Sequence, residues 1–440
     1  MGKLPDQWRV VRFRDVLISD VRNGIYKPAE FHGRGAKIVN MGELFEHPRL
    51  RAVPMRRIEV DDSEIDRFGL QVHDLLFARR SLVAEGAGKC SIVLNVDETT
   101  VFESSIIRAR PDPKKADPAF LYYLWSSPIG AHLLGTIRRQ VAVAGITGKD
   151  LEQLDIPLPP LSEQSAIAAV LSALDDKIEQ NQRAARALDR LARTIFRAWF
   201  VDFEPVKAKA NGATSFPSVS QTVFDALPTR CNDSEIGPIP EGWKLKAIGD
   251  VVSVKGGTTP STKNPEYWEG GIHCWATPRD MSRLSHPVLL DTERHISDAG
   301  LDSITSGLLP PGTVMLSSRA PVGYLAVAAV PTAINQGFIA MVCDGPLPPT
   351  YILQWAHASM DAIQGRASGT TFPEISKKNF RPLPVVVPPP DIVTAFRNLA
   401  DPLFSSLTAT AKEDISILSI RDYLLPRLLN GTVRAEVNNG

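Results

Sequence analysis

The sequence predicts an α+β chain in which two similar globular units are separated by a long antiparallel intramolecular coiled coil. Three observations predict it: an internal duplication, a proline-rich boundary closing each copy, and a heptad run after each boundary. The 440 residues are too many for one ordinary core, because domains run to roughly 100–200 residues. Apolar residues make up 43% and charged residues 22%, a globular composition that excludes a disordered or collagen-like chain.

The first copy opens at Trp8, followed by Val11-Arg12-Phe13-Arg14-Asp15-Val16. The second opens at Trp243, followed by Lys246-Ala247-Ile248-Gly249-Asp250-Val251 with the same Trp-to-Asp spacing. Further on, His73-Asp74-Leu75-Leu76-Phe77-Ala78-Arg79-Arg80 is echoed by Gly312-Thr313-Val314-Met315-Leu316-Ser317-Ser318-Arg319, and both predict a buried strand ending in arginine. Glu103-Ser104-Ser105-Ile106-Ile107 then matches Asn335-Gln336-Gly337-Phe338-Ile339, and helical patterns follow over 120–134 and 351–363. Each copy closes with proline-rich text, 157–160 and 384–390, which cannot lie inside a helix and marks a boundary.

After the first boundary Ile167, Leu171, Leu174, Ile178, Asn181, Ala185, Leu188, Ala192, Ile195 and Trp199 alternate four and three apart, a heptad seam with one polar member. No proline interrupts 162–200, a run on the order of 58 Å long as a helix. The second copy keeps the register through Phe396, Ala400, Leu403, Leu407, Thr410, Ile417, Leu424 and Leu428, with Asp414 and Arg421 also on the seam. Such seams need a partner, and an antiparallel pair within the chain supplies it. Asn181 is then a polar seam residue of the kind that fixes register. The expected organisation is a dumbbell: a globular unit over 1–157, a spacer helix over 158–200, a linker over 201–240, a second unit over 241–385 and a second spacer helix over 386–431. The linker reading rests on Lys207-Ala208-Lys209-Ala210-Asn211-Gly212 and on scattered Ser, Thr and Pro.

The 49 basic and 49 acidic residues cancel, so a DNA-binding surface must be local or assembled with a partner. The four cysteines form no CxxC, and the histidines form no HxxxH or HExxH. Any metal site would therefore be assembled from distant segments. The start carries no apolar signal core and no stretch of about 18 uncharged apolar residues occurs, so a soluble cytoplasmic protein with no membrane association is expected. Catalytic look-alikes fail on context. Phe31-His32-Gly33-Arg34-Gly35 lacks the apolar strand a methyl-donor loop would follow, Asn264-Pro265-Glu266-Tyr267 has Glu where Pro belongs, and Gly145-Ile146-Thr147-Gly148-Lys149-Asp150 has Val143 at the first glycine position of a phosphate loop. Asp175-Asp176-Lys177 lies within the heptad helix, where charges off the seam are expected on a solvated face rather than in a nuclease site.

Leu158-Pro159-Pro160-Leu161-Ser162-Glu163-Gln164, running into Ile167 to Glu179, resembles the first conserved region of type I restriction-modification specificity subunits. Its exit Trp199-Phe200-Val201-Asp202-Phe203-Glu204-Pro205 and the later Arg421-Asp422-Tyr423-Leu424-Leu425-Pro426-Arg427-Leu428-Leu429-Asn430-Gly431 are similar to that family too. Trp275-Ala276-Thr277-Pro278-Arg279-Asp280-Met281, Ser318-Arg319-Ala320-Pro321-Val322-Gly323 and Asn335-Gln336-Gly337-Phe338 resemble a target-recognition-domain pattern. The resemblance implies that the globular units are target-recognition domains, each reading one half of a bipartite asymmetric site in double-stranded DNA. It implies that the coiled coil docks two modification (methyltransferase) subunits and, through the complex, restriction/translocase subunits. It also implies no catalytic residue, cofactor or metal in this chain, with S-adenosylmethionine, ATP and Mg on the partner subunits.

Candidate DNA contacts follow from residue type. Arg79 and Arg80, like Arg319, end equivalent strands and could bond a guanine edge, a phosphate or a nearby carboxylate. Lys89, Lys255, Thr258 and Lys263 sit in or beside glycine-rich loops that suit either phosphate approach or an ordinary solvated turn. Trp275 and Tyr267 could stack on bases, although buried aromatics are commoner. Two other functions compete: a stand-alone two-domain DNA-binding regulator, which would bind tightly without a methyltransferase, and a coiled-coil scaffold without nucleic acid, favoured if neither unit has a basic concave face.

Overall fold

A computed structural model describes residues 5–139, 144–369 and 373–435. The chain divides into two compact units, Met1–Lys177 with Ile417–Gly440, and Ile178–Ser416. Each unit contains a globular part and a length of both long helices, Leu161–Phe200 and Pro390–Leu429.

In the first unit a five-stranded sheet runs in the order Arg22–Asn23, Ile106–Ala109, Leu75–Ala78, Cys90–Val93, Arg49–Leu50. The central strand Leu75–Ala78 is buried on both faces. Leu75 and Phe77 point into the core with Trp125 and Phe120 of the helix Pro118–Ser126, while Leu76 and Ala78 pack with Leu44 of the helix Met41–Glu46. A three-stranded sheet, Arg56–Ile58, His32–Val39, Thr100–Phe102, lies in the same unit.

The second unit repeats this topology strand for strand. Its five-stranded order is Ser253–Gly256, Phe338–Val342, Val314–Ser317, Leu325–Ala328, Val288–Leu289, and its three-stranded order is His295–Ile296, His273–Ala276, Thr332–Ile334. Val314 and Leu316 again face one core while Met315 faces the other. The duplication seen in sequence is therefore a duplication of fold.

The proline-rich closures are strands. Asp155–Leu158 pairs antiparallel with Arg9–Arg12, and Pro384–Val387 with Lys244–Ala247. Each pair is an isolated two-stranded sheet, where proline's missing N–H costs little. The chain then enters a long helix, with Gln164 fixing the first turn: its Nε2 donates to the Pro159 carbonyl and its Oε1 accepts from the Asp117 N–H.

The two long helices pack together antiparallel. Ile167 and Leu171 share a core with Leu428 in the first unit, and in the second Ala185 meets Leu407 while Phe196, Trp199 and Phe200 pack on Phe396. Of the expected seam, Ile167, Leu171, Ile178, Trp199, Phe396, Leu407, Ile417 and Leu428 are buried, and Leu174, Leu188, Ile195, Leu403 and Leu424 are half-buried. The buried face is wider than a two-helix seam, because the globular parts also pack on it. This corrects the solvated-face reading of Asp175: it is 7% exposed and accepts from the Tyr123 hydroxyl at 2.8 Å and from Arg421 at 3.0 Å. Asp176 accepts from both Arg49 and Arg51.

The segment 201–240 is folded rather than an open linker. It forms the helices Glu204–Ala210 and Gln221–Ala226 and a short strand pair, Cys231–Asn232 with Ile239–Pro240. Phe203, Val206, Phe224, Leu227 and Ile239 enter the same core as Trp199 and Trp243. Isolated apolar residues in polar text have no period, so only the surrounding core identifies them as buried.

His357, on the helix Pro349–Ala358, has its Nε2 buried without a hydrogen-bond partner. Burial, reinforced by Arg193, pushes its pKa down to about 4. The unfolded histidine takes up a proton near its ordinary value of about 6.5 whereas the folded one does not, so unfolding binds protons and acid destabilises the fold. Stability is expected to fall as pH drops through this window, by up to about 2 kcal/mol between pH 7 and pH 5. Urea denaturation at both pH values checks it, and His357→Leu should flatten that slope. Among the described residues no helix is long and apolar enough to cross a membrane.

Candidate nucleic-acid interface

In the second unit three separate segments converge on one cavity. The strand His273–Ala276 ends at Thr277, which caps the helix Pro278–Ser282 in a reciprocal box with Asp280. The strand Val314–Ser317 leads into Ser318-Arg319-Ala320-Pro321, where the Ser317 hydroxyl donates to the Pro321 carbonyl at 2.8 Å and accepts the Tyr324 N–H at 2.8 Å. The strand Thr332–Ile334 leads into Asn335-Gln336-Gly337, a turn closed by the Gly337 N–H on the Asn335 side chain.

Thr277, Arg279, Arg319, Tyr324 and Asn335 line the resulting open cavity of about 430 Å³. Its arginines are held but not consumed: Arg319 lies 3.8 Å from Glu374, and Arg279 lies 3.7 Å from Glu293, long contacts between exposed groups. Exposed pairs of this kind contribute only about 0–1 kcal/mol, so another acceptor can displace the carboxylate. Arginine matches the two acceptors on a guanine edge and asparagine the donor–acceptor pair of adenine, so this set is chemically able to read bases. Arg279 was not singled out from the sequence. Its signal was the capping text Thr277-Pro278-Arg279-Asp280, which puts residue 279 on the first turn of a short helix.

The other candidates in this unit have different environments. Lys255 is exposed on the strand Ser253–Gly256, and Lys263 is exposed in the following loop, neither lining that cavity. Thr258 accepts the Trp275 indole N–H on its carbonyl at 3.3 Å and the Thr305 N–H on its hydroxyl. Trp275 is only 4% exposed and stands edge-on to Trp268 at 5.0 Å, so its ring belongs to the core rather than to a stacking surface. Tyr267 is half-buried. Gly257 answers a protein contact: a Cβ there would lie 1.9 Å from the Ile334 carbonyl oxygen.

In the first unit the equivalent edges carry other side chains. Asn40 and Glu43 make the capping box that starts Met41–Glu46, and Arg79 and Arg80 follow the strand Leu75–Ala78. Arg79 is half-buried with its guanidinium 3.4 Å from the Ser104 carbonyl, while Arg80 is exposed on the short strand Arg80–Ser81. Lys89 points inward, donating to the Phe45 carbonyl at 3.0 Å and lying 4.9 Å over the Phe45 ring; burial lowers its pKa. A separate basic cavity of about 780 Å³ is lined by Lys27, His32, Arg56 and Arg57, none of them a candidate DNA contact from the sequence. Phe31-His32-Gly33-Arg34-Gly35 opens the strand His32–Val39, whose pairing with Arg56–Ile58 shifts register between His32 and Ala36 while Gly33 and Gly35 take positive φ. It is the irregular start of the central strand of the three-stranded sheet.

The sequence matches the type I restriction modification DNA specificity domain over residues 5–187 and 240–419. It is similar to the type I restriction enzyme HindI specificity subunit of Haemophilus influenzae, at 25% identity over 82% of this chain and 86% of that one. It is also similar to a putative type I restriction enzyme MjaX specificity subunit of Methanocaldococcus jannaschii, at 22% identity over 99% and 96%. In fold it resembles the crystal structure of a type I restriction-modification S subunit from M. genitalium, with TM-score 0.59 and 15% identity over 97% of each chain.

Proposed function

The chain belongs to the type I restriction-modification DNA specificity family, and from that premise we propose that its two globular units each read one half of a bipartite, asymmetric DNA target. As a specificity subunit it recognises a DNA target and is itself non-catalytic. The observation that carries the proposal is one scaffold used twice with different edges. Strand order in the five- and three-stranded sheets is identical in the two units and Arg319 is matched by Arg80, yet Thr277, Ser318 and Asn335 in one correspond to Asn40, Arg79 and Glu103 in the other. Equal edges would read a repeated half-site; unequal edges suit an asymmetric one. The packed long helices serve in this reading as the docking platform for two modification subunits and, through them, the restriction subunits. S-adenosylmethionine, ATP and Mg then belong to those partners. Partner cations also account for a chain of zero net charge acting on DNA.

Methylome sequencing of a host with and without the gene tests the proposal. One bipartite modified motif should vanish on deletion, and an unchanged methylome rejects it. Tight sequence-specific binding by the purified chain alone would favour the stand-alone regulator instead.

Arg319→Ala is expected to weaken binding to the specific target by about 1–3 kcal/mol more than binding to unrelated DNA. Its contact with Glu374 contributes little to the fold, so the melting temperature should hold. Competition binding at fixed salt measures both affinities; an equal loss on all sequences would assign Arg319 to phosphate.

A further inference from the structure

We propose that Cys274, Asp291 and His295 form a three-ligand site for a thiophilic divalent cation of the zinc class, with the fourth position open to water. The proposal does not depend on the DNA-reading assignment. Cys274 and His295 face each other across the antiparallel pair His273–Ala276 and His295–Ile296. The Trp275 N–H donates to the Arg294 carbonyl just beyond them, the pattern of a non-hydrogen-bonded pair, in which side chains come closest. Asp291 arrives from the loop entering the second strand. Its Oδ1 accepts the Thr292 N–H at 2.8 Å, and the Thr292 hydroxyl accepts the Trp275 N–H at 3.1 Å and donates to the Arg294 carbonyl at 2.7 Å. The loop is thus fastened to the strand that carries the cysteine.

The ligand atoms already approximate one face of a tetrahedron. Cys274 Sγ lies 3.6 Å from Asp291 Oδ1 and 3.7 Å from His295 Nε2, and those two atoms are 2.8 Å apart. Zinc bonds of about 2.3 Å to sulfur and about 2.0–2.1 Å to nitrogen and oxygen require edges of about 3.5 Å to sulfur and about 3.4 Å between the light atoms. Both sulfur edges are close to this, and the nitrogen–oxygen edge needs to open by roughly half an ångström, exchanging a hydrogen bond for two coordinate bonds. A thiolate and a carboxylate balance the charge of a divalent ion, with the imidazole neutral. Sulfur and imidazole together select zinc-like ions over magnesium or calcium, which take oxygen. Entry is open, since the Asp291 and His295 side chains are 67% and 33% exposed.

The ion would tie down the loop that carries Glu293. That residue's N–H bonds Asp280 Oδ1 at 2.8 Å, and its carboxylate faces Arg279 and Arg283.

Cobalt(II) titration of the full-length protein under reducing conditions tests the site, followed by displacement with zinc. The expected result is a saturable thiolate-to-cobalt absorption at one equivalent per chain. It should weaken at least tenfold in affinity in Cys274→Ser and in His295→Asn, and persist when Cys231 or Cys343 is replaced by serine. Circular dichroism confirms that the variants fold. A wild-type protein with no saturable thiolate band overturns the proposal, as does a band that survives Cys274→Ser; the wild-type titration decides even if a variant misfolds.

Discussion

Replacing the first globular unit with that of a relative of different specificity is expected to exchange one half of the methylated sequence and leave the other half as it was. The junction belongs between Pro159 and Pro160. Leu158 still pairs with Arg9 and must travel with the unit, while Gln164 holds the Pro159 carbonyl from inside the helix. Each mismatched base pair costs about 1–3 kcal/mol, so a wholly changed half-site removes measurable binding to the old target. Single-molecule methylome sequencing of cells carrying the chimera, with native partner subunits, provides the readout. Change in both half-sites, or in neither, would refute the assignment of one half-site to each unit.

Asp414→Ala is expected to destabilise the second unit by about 2–4 kcal/mol, more than an ordinary helix substitution. Asp414 is 5% exposed on the second long helix; its two oxygens accept from Asn181 of the first long helix at 2.8 Å and meet His286 Nε2 of the globular part at 2.9 Å. One carboxylate therefore joins three elements of the unit. Truncation leaves the buried His286 without that partner and removes one of the acceptors of Asn181, and each buried group left unsatisfied costs about 1–3 kcal/mol. The triple replacement of Asn181, His286 and Asp414 by leucine should recover much of the loss, because the polar groups leave together. Chemical denaturation of the three proteins measures the order. Equal stability of Asp414→Ala and the parent would show that water replaces the carboxylate.

Sequence legibility followed the range of the interactions. The heptad seam was readable because its period is local: residues three and four apart share a helix face whatever lies opposite. Asp414 fell on that seam as an apparent imperfection, and its purpose came from His286, 128 residues away. Asp175 was misread for the same reason, since Tyr123 and Arg421 reach it from other parts of the chain. For Trp275 the sequence leaves stacking and burial both open, with burial the commoner, and Trp268 and Thr258 hold it in the core. The arginine ending each buried strand was visible, whereas the cavity that Arg319 shares with Arg279 and Asn335 was not, because their segments meet only when the strands align.

By itself the sequence determined the duplication, the α+β class, the two long helices and the family, all carried by local period, ordered repeats and motif text. The tertiary structure alone decided that 201–240 is folded, which charges are buried, and which loops converge on one cavity. Those outcomes depend on pairings between residues far apart in the chain. Strand register and helix packing set such pairings, and local sequence does not encode them.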